Sequence, residues 1–305
     1  MRVLRMLGVA LISTLSACSQ QSFDIQKLGT SMLALVGLGP AVAVYDAVTS
    51  VQAATQALTR EEEYYLGRAV SAQILTRYPP LENETVNNYV ASVGAAVAQA
   101  SLLPNTFGGY HFQVLATDEV NAMAAPGGFI FVTTGMLKIL PDEDALAAVL
   151  AHEVTHVAEQ HGLKAISQDR INDIVTSMGQ LAGSLNCSEV LQQAGVIFTA
   201  AVDDVVNTLV LAGYSKNLEY AADKGSGVIL AQLGYEPQAL EVVLDQLMLN
   251  EAKSEKSGWF ATHPEAHERK DALGDAIHGS SQNLIVADGR VRRLERFNAA
   301  IRANL

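Results

Sequence analysis

The 305-residue sequence predicts an α+β fold that is mainly helical with one small β-sheet. Long stretches place apolar residues at helical spacing between capping residues, glycines and prolines. Only two short runs, His111-Phe-Gln-Val-Leu115 and Gly128-Phe-Ile-Phe-Val-Thr133, are rich in β-branched and aromatic residues and bounded by Pro and Gly. Residues 142–162 start with Asp142, Glu143 and Asp144, run without a polar side chain over 145–151, and end at Gly162. That is the pattern of a helix of about five to six turns built for the interior.

At 49% hydrophobic and 17% charged, the chain can bury a full core. Its formal charge of −12 argues against nucleic acid as a partner. Residues 1–17 carry Arg2 and Arg5, then an apolar run and small residues before Cys18, the layout of an export signal. Leu15-Ser16-Ala17-Cys18 resembles a bacterial lipoprotein signal, which implies cleavage before Cys18 and acylation of it; Ser19 then points to the outer membrane. With Cys18 lipidated, Cys187 is a lone free thiol, so neither a disulfide within the chain nor a thiolate zinc site is expected. In the anchored segment 18–58, the stretch 28–45 is free of charge and long enough to span a membrane, but Gly37, Gly39 and Pro40 dilute it and Asp46 follows. A buried or membrane-apposed helix pair is the preferred reading.

Thr59-Arg-Glu-Glu62 reads as a capping box opening a helix to about Tyr78, stopped by Pro79-Pro80. A second helix covers about 84–100, and the two strand-like runs follow. Residues 163–213 are mostly helical in pattern, with a polar break at 183–188 that suggests a hairpin. Further helices are expected at 214–233, ended by Gly234, at 237–250 and at 264–278. The amphipathic tail carries Arg290, Arg292, Arg293, Arg296 and Arg302, read as a solvated helix face.

The chemistry concentrates in His152-Glu153-Val-Thr-His156. Two histidines one helical turn apart on one face suit a single tetrahedral zinc ion, and Glu153 falls beside the metal, where a general base acts on a water activated by the ion. A third ligand six residues after His156 is ruled out, because Gly162 stands there and Glu159 occupies the glycine position of that longer pattern. His161 lies on the opposite side of the helix from His152 and reads as a structural or C-terminal histidine. The other route is Glu219, with Asp223 one turn on to accept a hydrogen bond from a ligating histidine. Ala221, Ala222, Gly225 and Gly227 keep that helix slim enough to approach the histidines.

Four motifs in this order resemble the zinc metallopeptidases that include the CAAX prenyl proteases, HtpX and the periplasmic and mitochondrial quality-control peptidases. They are Asn121-Ala-x-x-x-Pro-Gly-Gly-x-Ile-x-Val, the His-Glu-x-x-His helix, Glu219-x-x-Ala-Asp223 and Thr262-His263-Pro264-x-x-x-x-Arg269. The resemblance covers about residues 59–278, and the lipoprotein start is similar to the periplasmic branch. It implies a zincin-like domain over 59–280, followed by a tail at 281–305. It also implies one Zn2+ on His152, His156 and Glu219, with Asp223 behind them and Glu153 as base. Gly128, Phe129, Ile130 and Phe131 would belong to an edge strand that pairs with extended substrate, and Asn121 would hold that strand or the substrate backbone. His263 and Arg269 would face the cleft and stabilise an oxyanion, or His263 would cap the zinc in a latent form. His267 has no motif behind it and reads as a surface residue.

The expected function is zinc-dependent endoproteolysis in the periplasm by a chain lipid-anchored to the outer membrane. Its expected partners are extended or unfolded polypeptides and outer-membrane assembly clients or machinery. A latent or non-catalytic zinc lipoprotein acting as a chaperone in outer-membrane assembly is the alternative, and an intramembrane peptidase spanning at 28–58 is a further one.

Overall fold

Thr59 opens the first helix by the reciprocal pairing its sequence predicts. The Glu62 N–H donates to Thr59 Oγ1 at 3.2 Å and the Thr59 N–H donates to the Glu62 carboxylate at 2.8 Å. The computed structural model describes residues 58–165, 198–200, 202–209, 213–251, 258–263, 266–278 and 289–305. The export signal, Cys18, Cys187, the polar break at 183–188 and all but the last residue of 18–58 lie outside the described residues.

Helix α1 (Arg60–Arg77) ends at the proline pair, and α2 (Glu84–Gln99) starts on Asn83, whose side chain accepts the Val86 N–H. Three strands follow, β1 (His111–Leu115), β2 (Ala122–Ala125) and β3 (Phe129–Thr133). Their order in the sheet is β1-β3-β2, with β1 parallel and β2 antiparallel to β3. This corrects the expected edge strand. The run containing Phe129, Ile130 and Phe131 is the central strand, and backbone pairing occupies both of its sides. The sequence does not announce β2, because Ala-Met-Ala-Ala carries no β-propensity.

The turn Pro126–Gly128 joins β2 to β3 with Gly127 at φ 76°, a conformation that favours glycine. Helix α1 rides directly over it: a Cβ on Gly67 would lie 1.9 Å from the Pro126 carbonyl oxygen.

After the short α3 (Thr134–Ile139) comes the central helix α4 (Glu143–Ala158), capped by Asp142, which accepts the Ala145 N–H at 2.9 Å. Every residue of α4 from Glu143 to Val157 is buried, as its apolar body predicts. It stops at Ala158, short of the expected Gly162. Gln160 adopts the left-handed region at φ 56° and its side-chain amide donates to Glu63 at 2.7 Å, so a contact with α1 accompanies the break. A single turn, α5 (His161–Lys164), follows.

The later helices are α6 (Lys216–Leu233), α7 (Ala239–Glu251), α8 (Trp259–Thr262), α9 (Ala266–His278) and α10 (Arg290–Phe297), which runs on into a wider turn over Asn298–Arg302. Gly234 closes α6 in the left-handed conformation, as expected. The core lies around α4, with Val90 and Val97 of α2, Ile229 and Leu230 of α6, Leu244 of α7 and Phe297 of α10 packed into it. Gly225 brings α6 against α4, since a Cβ there would lie 2.4 Å from Thr155 Cγ2. Gly227 meets nothing within 4 Å and takes no part in that approach.

The arginine tail also needs correcting. Arg293 forks onto Asp144 with both contacts at 2.9 Å, and Arg296 forks onto Glu143 at 3.0 and 2.5 Å. Arg290 and Arg292 do face solvent. Helix α10 is therefore latched by two of its arginines to the acidic start of α4. Among the described residues, no helix is long and apolar enough to cross a membrane.

Candidate metal centre

Helical periodicity puts His152 and His156 on one face of α4, and their Nε2 atoms lie 2.9 Å apart. Glu219, carried up by α6, places its carboxylate oxygens 3.6 Å from His152 Nε2 and 3.5 Å from His156 Nε2. His263 follows α8 and is the fourth member: one donor atom from each of these four buried residues lies within 4.8 Å of the other three. The two halves of this group are 60 or more residues apart in sequence, and the close approach of α4 and α6 at Gly225 joins them.

The outer contacts decide which atoms face inward. His152 Nδ1 is 2.9 Å from Asp223 Oδ1. A carboxylate only accepts, so the proton sits on Nδ1 and the Nε2 lone pair turns to the centre. Burial raises the Asp223 pKa, but Arg269 and His152 outweigh it and hold the group ionised below the usual aspartate range. His156 Nδ1 is 2.9 Å from His161 Nδ1, and His161 Nε2 is 3.2 Å from Glu159. His161 is fully buried. The break after Ala158 swings it back from the far side of the helix, so wheel geometry could not show this contact.

Burial sets the protonation states. It lowers His152 to about 4, and it lowers His156 and His263 well below the ordinary histidine value, His156 helped by the neighbouring His152 and His263. All three imidazoles are neutral at pH 7. Burial also raises Glu219 to about 8, opposed by Arg269, and raises Glu153 well above a normal carboxylate, with the Glu219 charge adding to the effect. Among the described residues neither Glu153 oxygen nor His263 Nε2 has a hydrogen-bond partner, and Glu219 Oε2 has Arg269 Nη1 2.8 Å away.

Two imidazole nitrogens and a carboxyl group thus converge in one buried cluster, the kind of ligand set that suits a divalent cation. The donor set fits a metal ion. Glu153 sits beside it, its Oε1 3.5 Å from His263 Nε2.

Arg269 is not free to face a reacting group. It forks onto Asp223 at 2.9 and 2.6 Å and reaches Glu219 at 2.8 Å. This corrects its expected place in the cleft: two buried carboxylates on α6 would be costly without a counter-charge, and the guanidinium supplies it. Asn121 is buried against the end of the sheet, its N–H donating to Thr133 Oγ1 at 3.0 Å and its carbonyl accepting the Thr133 N–H at 3.0 Å. Its Oδ1 lies 3.5 Å from Thr262 Oγ1, next to His263. Its backbone is thus tied to the end of β3. His267 is exposed, as expected.

Tyr214 is a further residue that no motif singled out. Its ring stacks on His156 with centroids 4.2 Å apart, and its buried hydroxyl has no partner among the described residues. His263 stacks on Trp259 at 3.9 Å. His156 also lines a small cavity with Ala124, Ala125 and Gly162, which places β2, and not β3, next to the cluster.

The sequence profile of peptidase family M48 matches residues 84–277 of this chain. Among curated proteins, the beta-barrel assembly-enhancing protease of Escherichia coli (strain K12) is 26% identical over 240 residues, 75% of this chain and 48% of that one. The mitochondrial metalloendopeptidase OMA1 of Schizosaccharomyces pombe is 29% identical over 161 residues, 52% of this chain and 44% of its own length. The metalloprotease LoiP of Escherichia coli (strain K12) is 28% identical over 184 residues, 58% and 68% of the two chains. The chain spans about half the length of the beta-barrel assembly-enhancing proteases it matches.

Proposed function

The chain belongs to peptidase family M48, and on that premise we propose that it is a zinc-dependent metalloendopeptidase with His152, His156 and Glu219 as the metal ligands. The observation that carries this reading is the convergence of those three buried, metal-ligating side chains, with Glu153 alongside. When bound, zinc supplies the Lewis acidity that lets a water ionise near neutral pH and polarises the scissile carbonyl.

The protein's own groups do the rest. Asp223 fixes the His152 tautomer, and His161 orients His156. Arg269 holds Glu219 and Asp223 in place. Glu153, lifted by burial toward the working range of a base, takes the proton of the attacking water and passes it to the leaving nitrogen. An extended substrate lies along β2, whose one sheet partner among the described residues is β3 and which lines a small cavity with His156. This replaces the role first given to Gly128, Phe129, Ile130 and Phe131.

The relatives named for beta-barrel assembly and the lipoprotein-like start support misfolded or stalled envelope proteins as substrates. They also support a periplasmic location with a lipid on Cys18 at the outer membrane. In that organisation the peptidase domain covers 59–280, behind the anchored segment 18–58 and ahead of the tail 281–305.

A second reading, a latent form capped by His263, is favoured by the place of that imidazole in the four-residue group. His263→Ala then raises turnover if the ring caps the metal and lowers it if the ring steadies the oxyanion.

The deciding experiment compares cleavage of an unfolded protein by wild type and Glu153→Gln, with zinc content measured in both. Rate loss of about 10²–10⁴-fold at equal zinc supports the enzyme. Equal, negligible activity in two zinc-loaded proteins favours the chaperone-like alternative.

A further inference from the structure

Strand β1 uses its two edges unequally. One edge pairs in parallel with β3 from His111 to Leu115. In a parallel ladder, the N–H and C=O of one residue face the partner strand and those of the next face away. Val114 faces away: its N–H donates to Asn87 Oδ1 at 3.2 Å, and its C=O accepts the Leu81 N–H at 2.8 Å. The chain at 79–81 thus covers this outer edge, with Pro80 bridging to Leu115 in antiparallel sense.

Beyond Leu81 the chain turns off into α2, capped by Asn83. Phe112, two residues before Val114, presents its N–H and C=O on the same outer edge, and neither has a partner among the described residues. That edge opens into a cavity of about 810 Å³ between α1 and α2. Ala72 and Leu75 line one wall, Ala91 and Ala95 the other, and Phe129 and Phe131 lie behind. None of the residues lining it belongs to the metal cluster.

A backbone donor and acceptor two residues along from a bridge already made are satisfied by another extended backbone, and the small apolar walls leave room for its side chains. We propose that this groove is a second polypeptide-binding site, which takes an extended segment of the substrate as an added antiparallel strand on β1 at Phe112. It rests on the peptidase reading for the identity of the occupant: the segment belongs to the chain being cleaved, outside the stretch at the metal centre. The metal centre and the groove then hold one unfolded chain at two points and favour long substrates over short ones.

The test uses the full chain carrying Glu153→Gln, so that nothing is cleaved, with reduced and carboxymethylated α-lactalbumin as the unfolded probe. Amide exchange at Phe112 is expected to slow by about tenfold or more on saturation, as a new backbone hydrogen bond requires. Ala95→Trp and Ala72→Trp, which fill the groove from opposite walls at exposed helix positions, should each weaken binding by about fivefold or more at unchanged melting temperature. Unchanged exchange at Phe112, or wild-type affinity in both tryptophan variants, overturns the proposal. So does an amide already protected before the probe is added, because a segment of the protein itself then fills the groove. Cleavage is scored separately in the wild type: protection at Phe112 without any proteolysis sinks the peptidase reading alone, and proteolysis without that protection sinks only the groove.

Discussion

His161 and Arg269 show how a single buried contact reassigns a residue. His161 meets His156 through two Nδ1 atoms 2.9 Å apart and passes the contact on to Glu159. Outer partners of this kind orient a ligating ring, so His161→Ala should lower zinc affinity by about 10–100-fold, measured by competition with a chromophoric chelator. An affinity equal to wild type would leave His161 as packing only. Arg269 forks onto Asp223 and touches Glu219 while almost wholly buried. Removing one partner of such a buried set costs about 3–5 kcal/mol, so Arg269→Met should show first as a loss of thermal stability. A folded, stable variant that loses only turnover would return Arg269 to the reacting groups. The sequence motif put Arg269 near the site without saying what it touches, and helical spacing put His161 on the far side of its helix.

At the scale of elements, the site depends on two close approaches. Helix α6 reaches α4 because Gly225 has no Cβ to meet Thr155, whose hydroxyl already donates to the Ala151 carbonyl at 2.8 Å. Gly225→Ala should therefore cost about 1–3 kcal/mol by overpacking and weaken zinc binding along with it, which differential scanning and metal titration would read together. Helix α10 approaches the other end of α4, where Arg293 and Arg296 neutralise Asp144 and Glu143. Arg293→Ala leaves Asp144 buried without its counter-charge, and a loss of about 3 kcal/mol, seen as a Tm lower by ~6–12 °C, is expected. Helix positions were legible because caps, glycines and prolines act locally; α1, α2 and α6 fall within a few residues of their expected bounds. Strand β2 was not legible, since four small residues become a strand only by pairing with β3.

For the whole molecule, the acidic start of α4 is the joint where α2, the turn between α6 and α7, and α10 meet the helix that carries His152 and His156. Tyr89 and Tyr235 both donate to Glu143, at 2.8 and 3.1 Å, and burial together with that carboxylate raises their pKa values above the ordinary tyrosine value. The unfolded chain releases these protons near pH 10 while the native chain keeps them. Their contribution is thus complete below about pH 10 and is lost as pH rises further. Alkaline unfolding should be less steep in Tyr89→Phe, and identical curves for variant and wild type would remove Tyr89 from the joint. By itself, the sequence determined the helical class, the interior helix, and the pairs His152 with His156 and Glu219 with Asp223, because helical periodicity turns spacing directly into a shared face. Only the tertiary structure decided that β3 is central and β2 lies beside the histidine cluster, that His161 turns inward, and that Arg293 pairs with Asp144 149 positions away. A periodic pattern says which face of an element is apolar; it does not say which distant element will cover that face.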